Sequence, residues 1–204
     1  MARPSNLDPN LIERFNTYKF SPEDLYWVGF IFGDGNLNKS KLVKVVVTET
    51  DKAHLENMKL WAGSKAKVGI HSNKDGWGKP VAYFTFGASA IYDVLLDLGI
   101  VTPSHHRTPH SCLANSADFW RGLIDSDGWL GLYRTYILGL TANRETLELF
   151  QAFFGVKYAI SGNNGSQIFK TELAGDNARK AVQQLYRNPV AALERKLAIA
   201  QEWY

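Results

Sequence analysis

One stretch of this chain occurs twice, and the repetition limits what the remainder can fold into. It reads Trp27-Val28-Gly29-Phe30-Ile31-Phe32-Gly33-Asp34-Gly35 and, 93 positions later, Trp120-Arg121-Gly122-Leu123-Ile124-Asp125-Ser126-Asp127-Gly128. Each copy is an apolar run with glycine in third place, closed by a small residue and then Asp-Gly. At helical spacing Gly29 shares a face with Phe32 and Gly33, and Gly122 with Asp125 and Ser126, so small residues line one stripe. Such stripes let two helix backbones approach closely. The runs are too short and too interrupted to cross a bilayer, so two helices packed inside a soluble protein are expected. The last glycine of each copy is expected to end its helix in a left-handed cap. Asp34 and Asp127 then sit at helix C-termini, among free carbonyls and at the negative end of the dipole, where a carboxylate is unfavourable without a cation. Two packed helices would bring the pair together as a divalent-metal site.

Both copies resemble the LAGLIDADG motif, and the second is close to its consensus. The first departs at Phe32, where the family often has an acid, and keeps Gly29, Gly33, Asp34 and Gly35. The resemblance covers nearly the whole chain and implies a homing endonuclease of the single-chain, two-repeat type, a monomer that cuts a long double-stranded DNA site. In that family the places of Asp34 and Asp127 bind Mg²⁺ or a like ion and activate water for phosphodiester cleavage. The resemblance thus implies both as catalytic residues and metal ligands, with the carbonyls of Gly33 and Ser126 as extra ligands. Hard oxygen donors, few in number, suit Mg²⁺ or Mn²⁺ rather than zinc. The family also carries a basic residue near the end of each repeat, which Lys196 resembles. Beside a metal-held water it would tune proton transfer or stabilise the pentacovalent phosphate; the plainer reading is a solvated helix face. In the first repeat that place falls in Ser104-His105-His106-Arg107, without a lysine, leaving His105, His106 and Arg107 as candidates. After each second strand the family often has a water-positioning polar residue; Glu49, and Asn143 or an inert Ala142, stand there. Asp125 is expected to hydrogen-bond to the opposite half rather than to bind metal.

A chain of 204 residues, 45% hydrophobic, makes one domain or two small halves sharing a core. A single cysteine, Cys112, excludes an intramolecular disulfide and a cysteine zinc site, and fits a reducing, intracellular setting. The opening Met-Ala-Arg-Pro-Ser-Asn does not read as a signal peptide, and no membrane partner is expected. A net charge of +3 permits a nucleic-acid partner without demanding one, so the placement of the basic residues matters more.

Taken in order, residues 1–20 read as an N-terminal extension, 21–100 as the first repeat, 101–116 as a Pro- and His-rich linker, and 117–204 as the second repeat. Ser21-Pro22-Glu23-Asp24 starts the first motif helix, with serine at the N-cap and proline at the first helical position. Strands are expected over 41–48, 65–71 and 81–86, and helices over 51–62 and 89–98. Ala66, Val68 and Ile70 should face inward, as should Ala82, Phe84 and Phe86. Asn73-Lys74-Asp75-Gly76 reads as a hairpin turn, which Asn163-Asn164-Gly165 matches in the second half. The second half repeats the order: hairpin 129–141, helix 144–154, strands near 156–161 and 167–173, helix 176–187, and a last helix over 191–204. The expected fold is mixed α/β (α+β): two pseudo-symmetric αββαββα repeats packed through the motif helices, with two antiparallel sheets forming a saddle.

The outward residues of the first half are basic: Lys65, Lys67, His71, Tyr83 and Thr85, with Lys39, Lys41, Lys44, Lys74, Trp77 and Lys79 around the turns. The second half offers Arg134, Tyr136, Lys157, Ser161, Asn163, Asn164, Gln167 and Lys170, less basic and richer in amides. Both sets suit phosphate contact and base readout by strands in the major groove of DNA. Two other functions compete: an RNA-binding intron maturase on the same fold, and a DNA-binding regulator without cleavage. Retention of both Asp34 and Asp127 weakens the first and argues against the second. An intein is not expected, since no N-terminal Cys or Ser nucleophile and no C-terminal His-Asn pair is present.

Overall fold

The computed structural model describes residues 7–72, 79–163 and 165–204. The expected turn at Asn73–Gly76, and with it Lys74 and Trp77, lies outside these residues, as does Asn164. The first half runs α1 (Pro9–Asn16), α2 (Pro22–Asp34), β1 (Gly35–Leu37), β2 (Leu42–Thr48), α3 (Lys52–Ala62), β3 (Gly69–His71), β4 (Val81–Gly87) and α4 (Tyr92–Asp97). A short α5 (Ser111–Ala114) leads into the second half: α6 (Ala117–Asp127), β5 (Gly128–Leu132), β6 (Tyr136–Ala142), α7 (Arg144–Phe153), β7 (Ile160–Ser161), β8 (Phe169–Ala174), α8 (Gly175–Tyr186) and α9 (Glu194–Gln201). Each half thus has the αββαββα order. The two antiparallel sheets have matching strand orders, β1-β2-β4-β3 and β5-β6-β8-β7. Among the described residues no helix is long and apolar enough to cross a membrane.

The motif helices α2 and α6 pack on each other more extensively than any other pair of helices. They cross where the sequence places its glycines. A Cβ on Gly29 would run into the Phe119 carbonyl and come within 3.1 Å of Leu123 N; one on Gly122 would meet the Tyr26 carbonyl and lie 2.8 Å from Phe30 N. Main chain touches main chain there, so even alanine does not fit. The start of α2 is doubly capped: Ser21 Oγ accepts from Asp24 N (3.1 Å) while Asp24 Oδ2 accepts from Ser21 N (2.8 Å). Asp24 is fully buried and also takes Arg14 through two nitrogens (2.6 and 2.9 Å) and Trp61 Nε1 (2.9 Å), tying α1 and α3 to the motif helix.

Each sheet lays one face on this helical layer. Val43, Val45 and Val47 of β2 and Ala82, Phe84 and Phe86 of β4 are buried in strict alternation; Leu138, Leu140 and Leu173 are buried in the second sheet, where Gly139 is buried as well. Four local expectations need correction. Gly35 (φ −79°, ψ 143°) and Gly128 (φ −102°, ψ 176°) are extended, not left-handed, because the chain passes straight from each helix into a strand. Glycine is needed there for space instead: a Cβ on Gly35 would meet the Ile31 carbonyl, and one on Gly128 would lie 2.8 Å from the Gly139 oxygen. Only Gly69–His71 of the expected strand 65–71 pairs, and Ile70, although registered with buried Ala82, stays 45% exposed because an edge strand has no cover on its far side. Only Ile160–Ser161 pairs in the matching place of the second half. The terminal helix is confined to Glu194–Gln201.

Candidate nucleic-acid interface and metal centre

Asp34 and Asp127 are the last residues of α2 and α6, and the close crossing sets them side by side at the seam. A Cβ on Gly33 would come within 2.7 Å of Ser126 Cβ and 2.9 Å of Asp127 Oδ2, so the stripe of small residues is what lets the second carboxylate reach the first helix. Asp34 is half-buried; Asp127 keeps an exposed edge. Burial, and then the neighbouring Asp127, push the pKa of Asp34 up to about 7, and burial raises Asp127 as well. Two neighbouring carboxylates whose proton affinity is raised by burial, one of them by the other's charge as well, are a site that gains from a cation.

The helix ends beneath them are held by two different side chains. Lys196 is 3% exposed, and its Nζ donates to the carbonyls of Ile124 (2.5 Å), Asp125 (2.9 Å) and Gly128 (2.7 Å). In the first half Arg107 does the same from the linker. It donates to the carbonyls of Ile31 (3.3 Å), Phe32, Gly33 (3.1 Å) and Gly35 (2.5 Å), and through Nε to Val101 (2.9 Å). Ile31, Phe32 and Gly35 are the motif counterparts of Ile124, Asp125 and Gly128. Both cations bind carbonyls at a helix C-terminus, at the negative end of its dipole; those of Ile31 and Ile124 also accept from the main-chain N–H of Gly35 and Gly128. Burial lowers the pKa of both, that of Lys196 to about 8. Of the three residues that could replace the missing lysine, Arg107 takes the place; His105 and His106 sit in a 3₁₀ turn (Ser104–His106) at the surface. Asn143 is occupied in the same work: it caps α7 and donates to the carbonyls of His105 (3.2 Å) and Arg107 (2.8 Å), fixing the linker.

Asp125 is buried and reaches the opposite half as expected. It accepts from Tyr26 Oη (2.8 Å), Tyr186 Oη (2.6 Å) and Leu193 N (2.7 Å). Tyr26 Oη also lies 2.8 Å from His54 Nε2; with the phenol proton given to Asp125, His54 is the donor. Burial holds His54 neutral, its pKa down to about 4. Nothing in the sequence links Tyr26, His54 and Tyr186, which are far apart and carry no spacing pattern.

Two hollows flank the carboxylates. One, of about 360 Å³, has Asp34, Thr48, Asp51, Ser126 and Arg195 in its wall; the other, of about 220 Å³, has Asp127, Thr141, Asn143, Ser104 and Arg107. Thr48 and Thr141, which share one offset from their motifs, stand in matching places. The donors suit a hard divalent ion: two carboxylates and the Ser126 carbonyl, with the Gly33 carbonyl already accepting from Arg107. Among the described residues no group of three or more His, Cys, Asp or Glu gathers, so water and a ligand's oxygens would have to complete the shell.

Of the expected surface residues, Lys44, His71, Tyr83, Thr85, Ser161 and Lys170 lie on the sheet faces away from the helices, and most of the others lie in the loops beside the strands. Lys44 stands opposite Thr85 and beside Tyr83, its Nζ 5.4 Å from the ring. His71 is paired with Val81. Lys39, Lys65, Lys67 and Lys79 are exposed, as are Arg134, Lys157, Ser161, Asn163, Gln167 and Lys170. Ser161, Asn163 and Lys170 line a groove of about 470 Å³ on the second sheet, and Lys170 has an acidic neighbour, Glu172, at 3.8 Å. One expectation needs correction. Tyr136 pairs with Leu132 on the helix side and packs against Trp203 (centroids 4.9 Å apart), so it does not belong to the open face. Lys41 leans over Tyr92 of α4, 5.0 Å from its ring. Trp129 was not among the expected residues. It follows the second motif directly, and its ring lies flat across Gly139 on the open face, where a Cβ would strike it.

A scan against protein-family models finds no match, and a search of curated proteins finds none either. Solved structures do match. The homing endonuclease I-WcaI bound to its DNA recognition sequence aligns over 94% of this chain and 94% of its own, at 18% identity and a TM-score of 0.62. The LAGLIDADG homing endonuclease I-SmaMI bound to cleaved DNA aligns over 91% and 88%, at 11% identity and a TM-score of 0.58. I-SmaMI bound to uncleaved DNA in the presence of calcium ions aligns over 91% and 90%, at 10% identity and a TM-score of 0.57. These likenesses run the length of both repeats, and the chain has the fold of the LAGLIDADG homing endonucleases in its single-chain, two-repeat form.

Proposed function

We propose that this protein is a site-specific endonuclease that hydrolyses both strands of a long, non-palindromic DNA target with a divalent metal ion. The observation that carries the reading is the pair of carboxylates at the ends of two helices locked together at glycine, between two open sheet faces. A DNA-binding regulator or an RNA maturase would gain nothing from holding two acids side by side at a buried seam, where burial and then Asp127 raise Asp34 to about 7. The DNA-bound neighbours, one of them with cleaved DNA, support the same reading.

Asp34 and Asp127 would hold Mg²⁺ or Mn²⁺, with Ser126 O as a further donor. Such an ion, when bound, supplies an activated water and offsets charge on the phosphate. The chain's own part is positional. The glycine crossing fixes the carboxylates, Lys196 and Arg107 fix the helix ends beneath them, and the exposed lysines hold the DNA backbone while side chains on the open faces meet base edges. Lys196, with its pKa near 8, can also hold or release a proton near neutral pH, which Arg107 cannot. The test is cleavage of a plasmid carrying the target, identified by selection from a randomised pool, with and without Mg²⁺. Binding without cutting under any divalent ion would sink the nuclease reading.

A further inference from the structure

The hollow beside Asp34 contains a charged group with no role so far. Arg195, on α9 next to Lys196, points away from the helix ends, and its Nε donates to both oxygens of Asp51, at 3.2 and 3.1 Å. Asp51 is buried in the first half, at the end of the 3₁₀ turn that follows β2, and also accepts from Thr48 Oγ1 at 3.2 Å. Since Nε carries a single hydrogen, Asp51 orients the guanidinium while its two terminal nitrogens have no partner among the described residues. The side chain is 54% exposed and shares the hollow with Asp34, Thr48 and Ser126. Its charge acts on Asp34, whose proton affinity it lowers.

Among the described residues the hollow beside Asp127 has no equivalent. Arg144 stands where Asp51 does relative to the motif, and its guanidinium lies 4.7 Å over the Phe169 ring. Arg107 has all three nitrogens on main-chain carbonyls.

On the nuclease reading, we propose that Arg195 is a catalytic phosphate clamp of the Asp34 centre, contacting non-bridging oxygens of the scissile phosphate on one DNA strand, with Asp51 as its positioning residue. A planar guanidinium with two free nitrogens matches a phosphate in two-pronged fashion. The other strand meets no such clamp, so the two strands are cut at unequal rates, the faster one at Asp34.

The experiment uses the duplex that the wild-type protein selects from a randomised pool, with each strand labelled in turn. Arg195→Gln should slow one strand, the same in every molecule, by about 10²-fold, the size typical of losing one oxyanion donor. The other strand should keep close to its wild-type rate, so nicked duplex accumulates. Without metal, the same variant should lower the slope of log affinity against log salt by about 0.9, one phosphate contact. Asp51→Asn should slow the same strand and keep the slope. If Arg195 and Asp51 only tie the halves together, both variants lose equal thermal stability, both strands slow alike and the slope stays put; that result overturns the proposal. Wild-type protein that binds duplex but never cuts sinks the nuclease reading, while the metal-free slope still decides whether Arg195 meets phosphate.

Discussion

At the end of α6 an ammonium is fastened to three carbonyls, and at the end of α2 a guanidinium is fastened to four. The two come from different parts of the chain: Lys196 from the last helix, Arg107 from the linker between the halves. What repeats is the requirement, a buried cation under a helix end that must turn abruptly into a strand. What differs is the chemistry on offer, since only the lysine can change its proton state near neutral pH. The two halves share their element order and strand order and differ in the side chains that complete them.

The sharpest way to break the comparison is to remove one carboxylate at a time. Asp34→Asn and Asp127→Asn should each reduce cleavage of both strands by about 10³-fold or more while DNA affinity persists. A variant that still cuts one strand at the wild-type rate would show two independent centres instead of a shared one. Next come the two cations. Lys196→Met should slow single-turnover cleavage by about 10²-fold. Arg107→Met should be felt first as stability, about 2 kcal/mol by urea unfolding, because it strips the carbonyls of α2 of their donor. Equal kinetic losses from both would mean that the lysine's proton is irrelevant.

Target reading gives a smaller effect. Changes at Lys44 or Tyr83 should alter preference or affinity in one half-site, and changes at Asn163 or Lys170 in the other. Base-reading contacts are worth about 1–3 kcal/mol each. A palindromic preference in a substituted-site library would contradict two unlike sheets. The smallest effect is the pH dependence of the metal-free protein. Asp34 binds its proton more tightly folded than unfolded, so its contribution to stability is full below about 4 and is lost as pH rises through about 7. The gain in melting temperature from Asp34→Asn should therefore grow across that window and level off above it. A gain that is constant with pH would mean that burial and Asp127 do not act on Asp34 as described.

Much of this was legible in the sequence, because duplication turns a weak signal into a strong one. The motif helices, their glycine crossing, the position of both acids and the alternation of β4 follow from spacing alone. What spacing could not show depends on contacts between distant segments. Arg107 lies in a stretch without period, and nothing local says that its guanidinium folds back on α2 rather than into solvent. Tyr136 shares its strand face with the buried Leu138 and Leu140, so alternation already pointed it inward, and Trp203 covers it from the far end of the chain. Ile70 alternates as a core residue should, and among the described residues no element covers it. Gly35 and Gly128 were legible as necessary, but for the wrong reason: they save volume and not a backbone angle.

The glycine crossing has a consequence for how such a protein can change. Side chains packed between helices act as adjustable spacers, and substituting them shifts the helices. Here main chain rests on main chain at Gly29 and Gly122, so no spacer remains to adjust. The separation of the two acids is a fixed gauge, and on the nuclease reading proposed above it would set the offset between cuts on opposite strands. On that reading the sheets can acquire new outward residues and a new target while the stagger of the cut ends stays as it was.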